Sequence, residues 1–327
     1  MKAAASKSGS MQTGNGTKPW RANLTIGVAA GLICNALWTA MASAQLPPRA
    51  VETFRVPSSY PGSLAFDGAN IWVTSSNSAY VSKLRASDGA LLGNFPVPTT
   101  NYSATFDGTY VWISNRTFPG ITRLRPDDGS VEGTYLTGQV AAYRMLFDGE
   151  NVWANTAASV VKLRASDVTI LGTYPVQALF GLAFDGSNIW ATSYYFNSVT
   201  KIRANDGTIL GSYPVGSYPV GVAFDGSSIW VASPTDNTLT QLRASDGAFL
   251  HTVPVGHAPC DVVFDGHHIW TVNADDKTAM RINPKNGAIQ RAYSTGPVPQ
   301  FLLFDGTNIW VSDFLDHGLV NKILPRK

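Results

Sequence analysis

The stretch Ala183–Ser193 reads AFDGSNIWATS. Ala223–Ser233 reads AFDGSSIWVAS, and Ala65–Ser75 reads AFDGANIWVTS. The Phe of Phe-Asp-Gly recurs as Phe66, Phe106, Phe147, Phe184, Phe224, Phe264 and Phe304, at intervals of 40, 41, 37, 40, 40 and 40 residues. Six residues after each Phe stands a Trp: Trp72, Trp112, Trp153, Trp190, Trp230, Trp270 and Trp310. Self-similarity at this period is the mark of a repeat architecture, in which each unit is one supersecondary element.

Each unit has room for four short strands. The first ends at Phe, as in GVAF (221–224), and Asp-Gly turns the chain. Gly accepts positive φ there and Asp bonds its own backbone. The second strand is the Ile-Trp-Val segment. A polar loop leads to the third, such as VSKLR (81–85) or LTQLR (239–243), and Ser-Asp-Gly turns into the fourth, such as AFLHTVPV (248–255). Alternation and β-branched residues favour strands over helices. Four strands per unit in tandem predict a propeller, with an open β-solenoid as the rival. The ends decide between them. The last unit stops after its third strand, near LVNKIL (319–324), and the missing fourth appears as VETFRVP (51–57). The expectation is an all-β, seven-bladed propeller of four-stranded blades over 45–327, closed by an N-terminal strand that completes the C-terminal blade and removes two sheet edges. Seven repeated Phe, Trp and Asp residues then read as scaffold. The shorter interval in blade three is attributed to a single-residue loss in RASDVTI (164–170), where Val168 replaces Gly, and to a shortened loop near Thr156.

The motifs FDGxxIWV, V-x-K-L-R and the closing PVGxxP resemble the repeats of the YVTN/YncE-like and streptogramin lyase-like (virginiamycin B lyase-like) propellers, from about Val51 to Lys327. The resemblance implies a seven-bladed propeller. For a lyase of that family it also implies a His in a Pro-His-Gly segment before a first strand, a Glu after a second-strand Trp, and a magnesium ion. The matching slots here hold Gly62, Tyr102, Tyr143, Phe180, Val220, Cys260 and Gln300, none of them His. The segments after Trp contain no Glu. Elimination needs a base placed at the abstracted proton, so no catalytic residue, metal ligand or cofactor is assigned.

Function in a repeat protein sits where the copies diverge and face one surface. The loops joining strands two to three and four to one vary most. They place Tyr60, Tyr102, Tyr143, Phe180 and Tyr218 at the entries of first strands, with Arg144 and Asp261 directly following in blades three and six. Arg116, Phe118, Tyr194, Tyr195 and Phe196 lie in the two-to-three loops. An aromatic rim with few charges is a platform for a sugar or a peptide. The candidate ligand-binding set is Tyr102, Tyr143, Arg144, Phe180, Tyr218 and Asp261. His251, His257, His267 and His268 cluster in sequence, but adjacent His267 and His268 fall in an Asp-Gly turn on the opposite rim from His257, which opposes one metal site. Cys260, with His257 and Asp261 nearby in sequence, reads as a small buried hydrophobe rather than a nucleophile.

Lys2, Lys7, Lys18 and Arg21 form a basic start with no acid, an apolar stretch runs from Leu24 to Met41, and Ala42-Ser43-Ala44 supplies a small-x-small site before Gln45. This predicts a cleaved secretory leader over 1–44, against an uncleaved anchor, and no membrane span after its removal. Of the 327 residues, 44% are hydrophobic and 14% charged, with net charge +2. Without the leader's four basic residues, 20 Lys and Arg face 22 Asp and Glu, a net of −2 with no basic footprint for nucleic acid. Cys260 alone remains, so no intramolecular disulfide forms. The expected protein is an exported module, periplasmic or extracellular, that binds a protein, peptide or cell-surface glycan at its variable rim. The alternative is a lyase-like or lactonase-like enzyme using the axial mouth.

Overall fold

The computed structural model describes residues 50–136, 142–156, 158–176, 180–314 and 318–325. They belong to one compact unit, Arg49–Lys327, and the leader expected over 1–44 lies outside the described residues. Among the described residues no helix is long and apolar enough to cross a membrane. The strands form seven four-stranded antiparallel sheets, six of them built from four consecutive strands. Blade one, for example, runs Pro61–Phe66, Asn70–Ser75, Tyr80–Arg85 and Leu91–Pro96. The seventh joins Pro299–Phe304, Ile309–Asp313 and Leu319–Ile323 to the N-terminal strand Val51–Arg55. Val51 pairs with Ile323 and Phe54 with Val320. The expected seven-bladed propeller, closed by its first strand, is therefore the observed fold.

The Phe-Asp-Gly-to-Trp spacing has one physical cause. Asp67 Oδ1 accepts the backbone N–H groups of Ala69 and Asn70, and its Oδ2 accepts the indole N–H of Trp72 at 2.8 Å. The same carboxylate-to-indole bond, 2.6–2.8 Å long, joins Asp107 to Trp112, Asp148 to Trp153, Asp185 to Trp190, Asp225 to Trp230, Asp265 to Trp270 and Asp305 to Trp310. One side chain thus closes the turn and satisfies the only polar atom of a fully buried ring. Every one of the seven Trp residues is 0% exposed. All seven join hydrophobic clusters that contain residues of the next blade round the ring, as Trp72 does with Ala104, Val111 and Ile113 and Trp310 with Leu64, Ile71 and Val73.

A third-strand cation fastens blades one, two, three, four and seven to the next blade. Lys201 Nζ lies 5.0 Å from the Trp190 ring centre and donates to the carbonyls of Ala244 and Ser245. Lys162 bonds Ala204 and Asn205 in the same way, and Lys83 bonds Pro126 and Asp127. Arg123 reaches Ala165. Lys322 closes the ring by bonding Ala86 and Ser87 of blade one. Charge-assisted bonds to paired carbonyls compensate the burial of these ammonium groups.

Blade three requires a correction. Leu163 pairs with Ile170 as Leu242 pairs with Phe249, so the Ser-Asp turn there has lost no residue. Val168 stands at φ +62°, the conformation that Gly247 adopts at +75° in the matching turn. The shortening lies in the hairpin above it. Trp153 pairs with Lys162, nine positions on, whereas Trp190 pairs with Lys201 and Trp230 with Gln241, eleven positions on. The third missing residue falls between Tyr174 and Phe184, which are one closer than Tyr213 and Phe224.

Candidate functional site

First strands line the axis of the ring. Pro61 pairs with Ser75, Pro259 with Asn273 and Pro299 with Asp313, which puts each strand entry at the end away from its Asp-Gly turn. At that end the residue after each variable slot is Ser63, Ser103, Arg144, Gly181, Gly221, Asp261 or Phe301.

Two of these residues meet across the axis. Arg144 Nη2 of blade three donates to Asp261 Oδ1 of blade six at 2.5 Å. Asp261 is 1% exposed. Its Oδ1 also accepts the N–H of Val262, and its Oδ2 accepts the N–H of Leu302 in blade seven. Arg144 is fixed at its own backbone, where its N–H donates to Asn155 Oδ1 at 2.6 Å. Its guanidinium lies 5.4 Å from the Phe301 ring centre. The ion pair divides the channel. Arg144 lines both a mouth cavity of about 220 Å³ and a second cavity of about 420 Å³ along the axis towards Phe66, Phe106 and Phe304.

An aromatic crescent bounds the mouth. Phe301 meets Tyr102 edge-on at 6.2 Å between ring centres, Tyr102 meets Tyr143 at 5.8 Å, and Tyr143 meets Phe180 at 5.8 Å. Phe180 continues to Tyr194 at 5.1 Å, and Tyr194 to Tyr218 at 4.9 Å. Spacings of this kind are those of favourable edge and offset contacts, which stiffen the rim. The opposite wall is Val220, Gly221, Pro234, Cys260 and Gln300. Gln300 Oε1 is buried there with no hydrogen-bond partner in the structure. Burial also raises the pKa of Tyr102 above its ordinary value, which keeps the phenol neutral.

The structure brings Tyr102, Tyr143, Arg144 and Phe180 together in the lining, with Asp261 bonded beneath them. Tyr218 stands outside the cavity, exposed and at φ +54°, and braces Tyr194. Tyr60 packs on Phe314, and Arg116 donates to the Ser76 carbonyl. Tyr195 and Phe196 project outward from the short 3-10 turn Tyr194–Phe196, 70% and 61% exposed. Sequence reasoning missed Phe301 and Pro234 and gave Gln300 no role. The signal for Phe301 was present, since it occupies the position in blade seven that Arg144 and Asp261 occupy in theirs.

The magnesium ion that the family resemblance implies does not fit this mouth. The ion takes carboxylate oxygens, and among the described lining residues there is none. The oxygens of Asp261, below, are occupied by Arg144 and two backbone N–H groups. No step is derived through it. Among the described residues no base is hydrogen-bonded to Cys260, whose thiol donates to the Ala258 carbonyl. His257 pairs with Asp276, Nδ1 to Oδ1 at 2.8 Å, and burial together with Asp261 pushes the Cys260 thiol up to about 12. A reactive cysteine needs the opposite shift. His251, His267 and His268 line a separate cleft on the far rim.

Fold and site together define a seven-bladed β-propeller with an aromatic axial mouth. No family model matches the chain, and no curated protein matches its sequence. Among solved structures it is similar to selenomethionine-substituted virginiamycin B lyase from Staphylococcus aureus, with 18% identity, a TM-score of 0.72, and coverage of 84% of this chain and 99% of that one. A streptogramin B lyase shows 21% identity and a TM-score of 0.69, over 83% and 96% of the two chains. The WD40 β-propeller domain of Doa1 shows 12% identity and a TM-score of 0.71, over 84% and 96%. At these identities the likeness is one of fold.

Proposed function

We propose that this chain is an exported binding module that holds a protein, peptide or cell-surface glycan partner by a ring-shaped group inserted into the aromatic mouth. The observation that carries the reading is a cavity walled by aromatic rings whose lining includes Gln300, a residue with its Oε1 buried and without a hydrogen-bond partner. A buried polar atom left unbonded costs free energy that a ligand N–H or O–H removes. A cavity of about 220 Å³ admits one side chain or one sugar ring, so it acts as an anchor for a larger partner. Arg144 and Asp261 cancel each other's charge, which favours a neutral group over an ionised one. Export rests on the basic start, the apolar stretch and Ala42-Ser43-Ala44.

The fold likeness also prompts a lyase or lactonase reading of the same mouth. Against it, the described lining residues include no His and no carboxylate to take a proton. Calorimetric titration of short aromatic peptides and oligosaccharides tests the binding reading. Gln300→Leu is expected to weaken binding by about tenfold, the equivalent of one lost hydrogen bond. A ligand that binds Gln300→Leu as tightly as wild type contradicts the assignment, and EDTA-sensitive turnover of a lactone or cyclic peptide would favour the enzyme.

A further inference from the structure

One seam of the ring departs from the others at three positions together. Between blades five and six the fastening cation is replaced by Gln241, whose Nε2 lies 3.5 Å from the Pro284 carbonyl. The fourth-strand aromatic, Tyr213 in blade four, is replaced by Val253. The glycine on which that ring lies, Gly211 in blade four, is replaced by His251. The imidazole takes the ring's place, edge-on to Trp230 at 5.9 Å. Gln241 and His251 are direct partners across the two strands.

These changes open a cleft of about 960 Å³ with a distinct chemistry. Its polar lining is Asp225, Ser227, Gln241, His251, His267, His268 and Lys285, and His251 Nε2 is buried with no hydrogen-bond partner. The corresponding cleft between blades seven and one holds no His and is occupied by Lys322, bonded to Ala86 and Ser87. The carboxylates beside the imidazoles are already engaged. Asp225 accepts from Trp230, Ser227 and Ser228, and Asp265 from Trp270, His267 and His268. His268 Nδ1 also lies 3.4 Å from Asp265 Oδ2. The Ser227 hydroxyl also donates to Asp225, so the groups left to face the cleft as donors are the Lys285 ammonium, the imidazoles and the Gln241 amide, beside the hydrogen-bonded Asp225 carboxylate.

We propose that the cleft between blades five and six is a binding site for a phosphate-type or sulfate-type oxyanion. Lys285 supplies the positive charge, and the imidazoles and the Gln241 amide supply N–H donors. The donors are gathered from both blades, so a bound oxyanion also ties a seam that lacks the lysine fastening.

The test titrates inorganic phosphate into the full chain, following the imidazole proton resonances. The expected result is saturable movement of the His251, His267 and His268 signals. His257, paired with Asp276 on the other rim, should stay in place. Lys285→Gln and His267→Gln alter exposed positions and leave the core intact, and the double variant should lose the binding. Vesicles of phosphatidic acid, with phosphatidylcholine as control, separate the sources. Capture that depends on Lys285 identifies a lipid headgroup, phosphate binding without capture identifies a soluble oxyanion, and either supports the site. Absence of saturable phosphate binding overturns the proposal, as does affinity unchanged in the double variant.

Discussion

Arg144 and Asp261 stand 117 residues apart in the chain and meet across the propeller axis, tying blade three to blade six. The Asp261 carboxylate is enclosed, and its Arg144 partner is 18% exposed at the side chain. Removing one member of a buried pair leaves the other charge without compensation, which costs roughly 3–5 kcal/mol. Asp261→Ala should therefore lower the urea unfolding free energy by about that amount. The double variant Arg144→Met/Asp261→Leu should recover much of the loss, because a matched apolar pair carries no desolvation cost. Equal stability of wild type and Asp261→Ala would remove the ion pair from the account.

The Asp–Trp bond is repeated seven times, so each copy should be separable from the site. Trp230→Ala empties a 0% exposed position and is expected to cost roughly 3–5 kcal/mol. Asp225→Ala leaves the Trp230 indole and two turn N–H groups without an acceptor and should cost about 1–3 kcal/mol. Thermal unfolding checks both. A melting temperature equal to wild type in Trp230→Ala would count against the packing described.

Gln241 is where a lysine fastens other seams, so Gln241→Lys should replace its long 3.5 Å bond to the Pro284 carbonyl with a charge-assisted one. The expected gain is about 1 kcal/mol, since part of the charge-assisted bond offsets desolvation of the ammonium. It should be visible as a raised melting temperature. A loss of stability would show that His251 has closed the space the ammonium needs.

Cys260 gives a prediction in pH. A thiol raised to about 12 is almost wholly protonated at neutral pH, and the thiolate is the reactive form. Alkylation by iodoacetamide should be slower than for a free cysteine thiol, and its rate should still be climbing well above pH 9. Rapid labelling near neutrality would reinstate a nucleophile at the mouth.

The fold was legible because its determinants are local and repeated. Phe-Asp-Gly and Trp lie within one turn, and the stray strand at Val51–Arg55 announced the closure. The aromatic rim was legible for Tyr102, Tyr143 and Phe180, which occupy one slot of the repeat. The Arg144–Asp261 bridge was not, because it depends on where the closed ring places two blades three units apart. The fastening role of Lys201 and its counterparts was hidden for a similar reason, since the carbonyls that accept from them belong to the next unit. The length of blade three was misread at Val168, a substitution that occupies the glycine's backbone conformation without removing a residue.

The measurement that bears most directly on the binding assignment is a thermal-shift screen of the chain against peptides, oligosaccharides and lactones, each with and without EDTA, in wild type and Tyr143→Ala. A ligand at about 100 times its dissociation constant adds roughly 2.7 kcal/mol of stability. The account predicts a peptide or glycan shift that EDTA leaves unchanged and that Tyr143→Ala abolishes. A shift that survives Tyr143→Ala, or that EDTA removes, would contradict it.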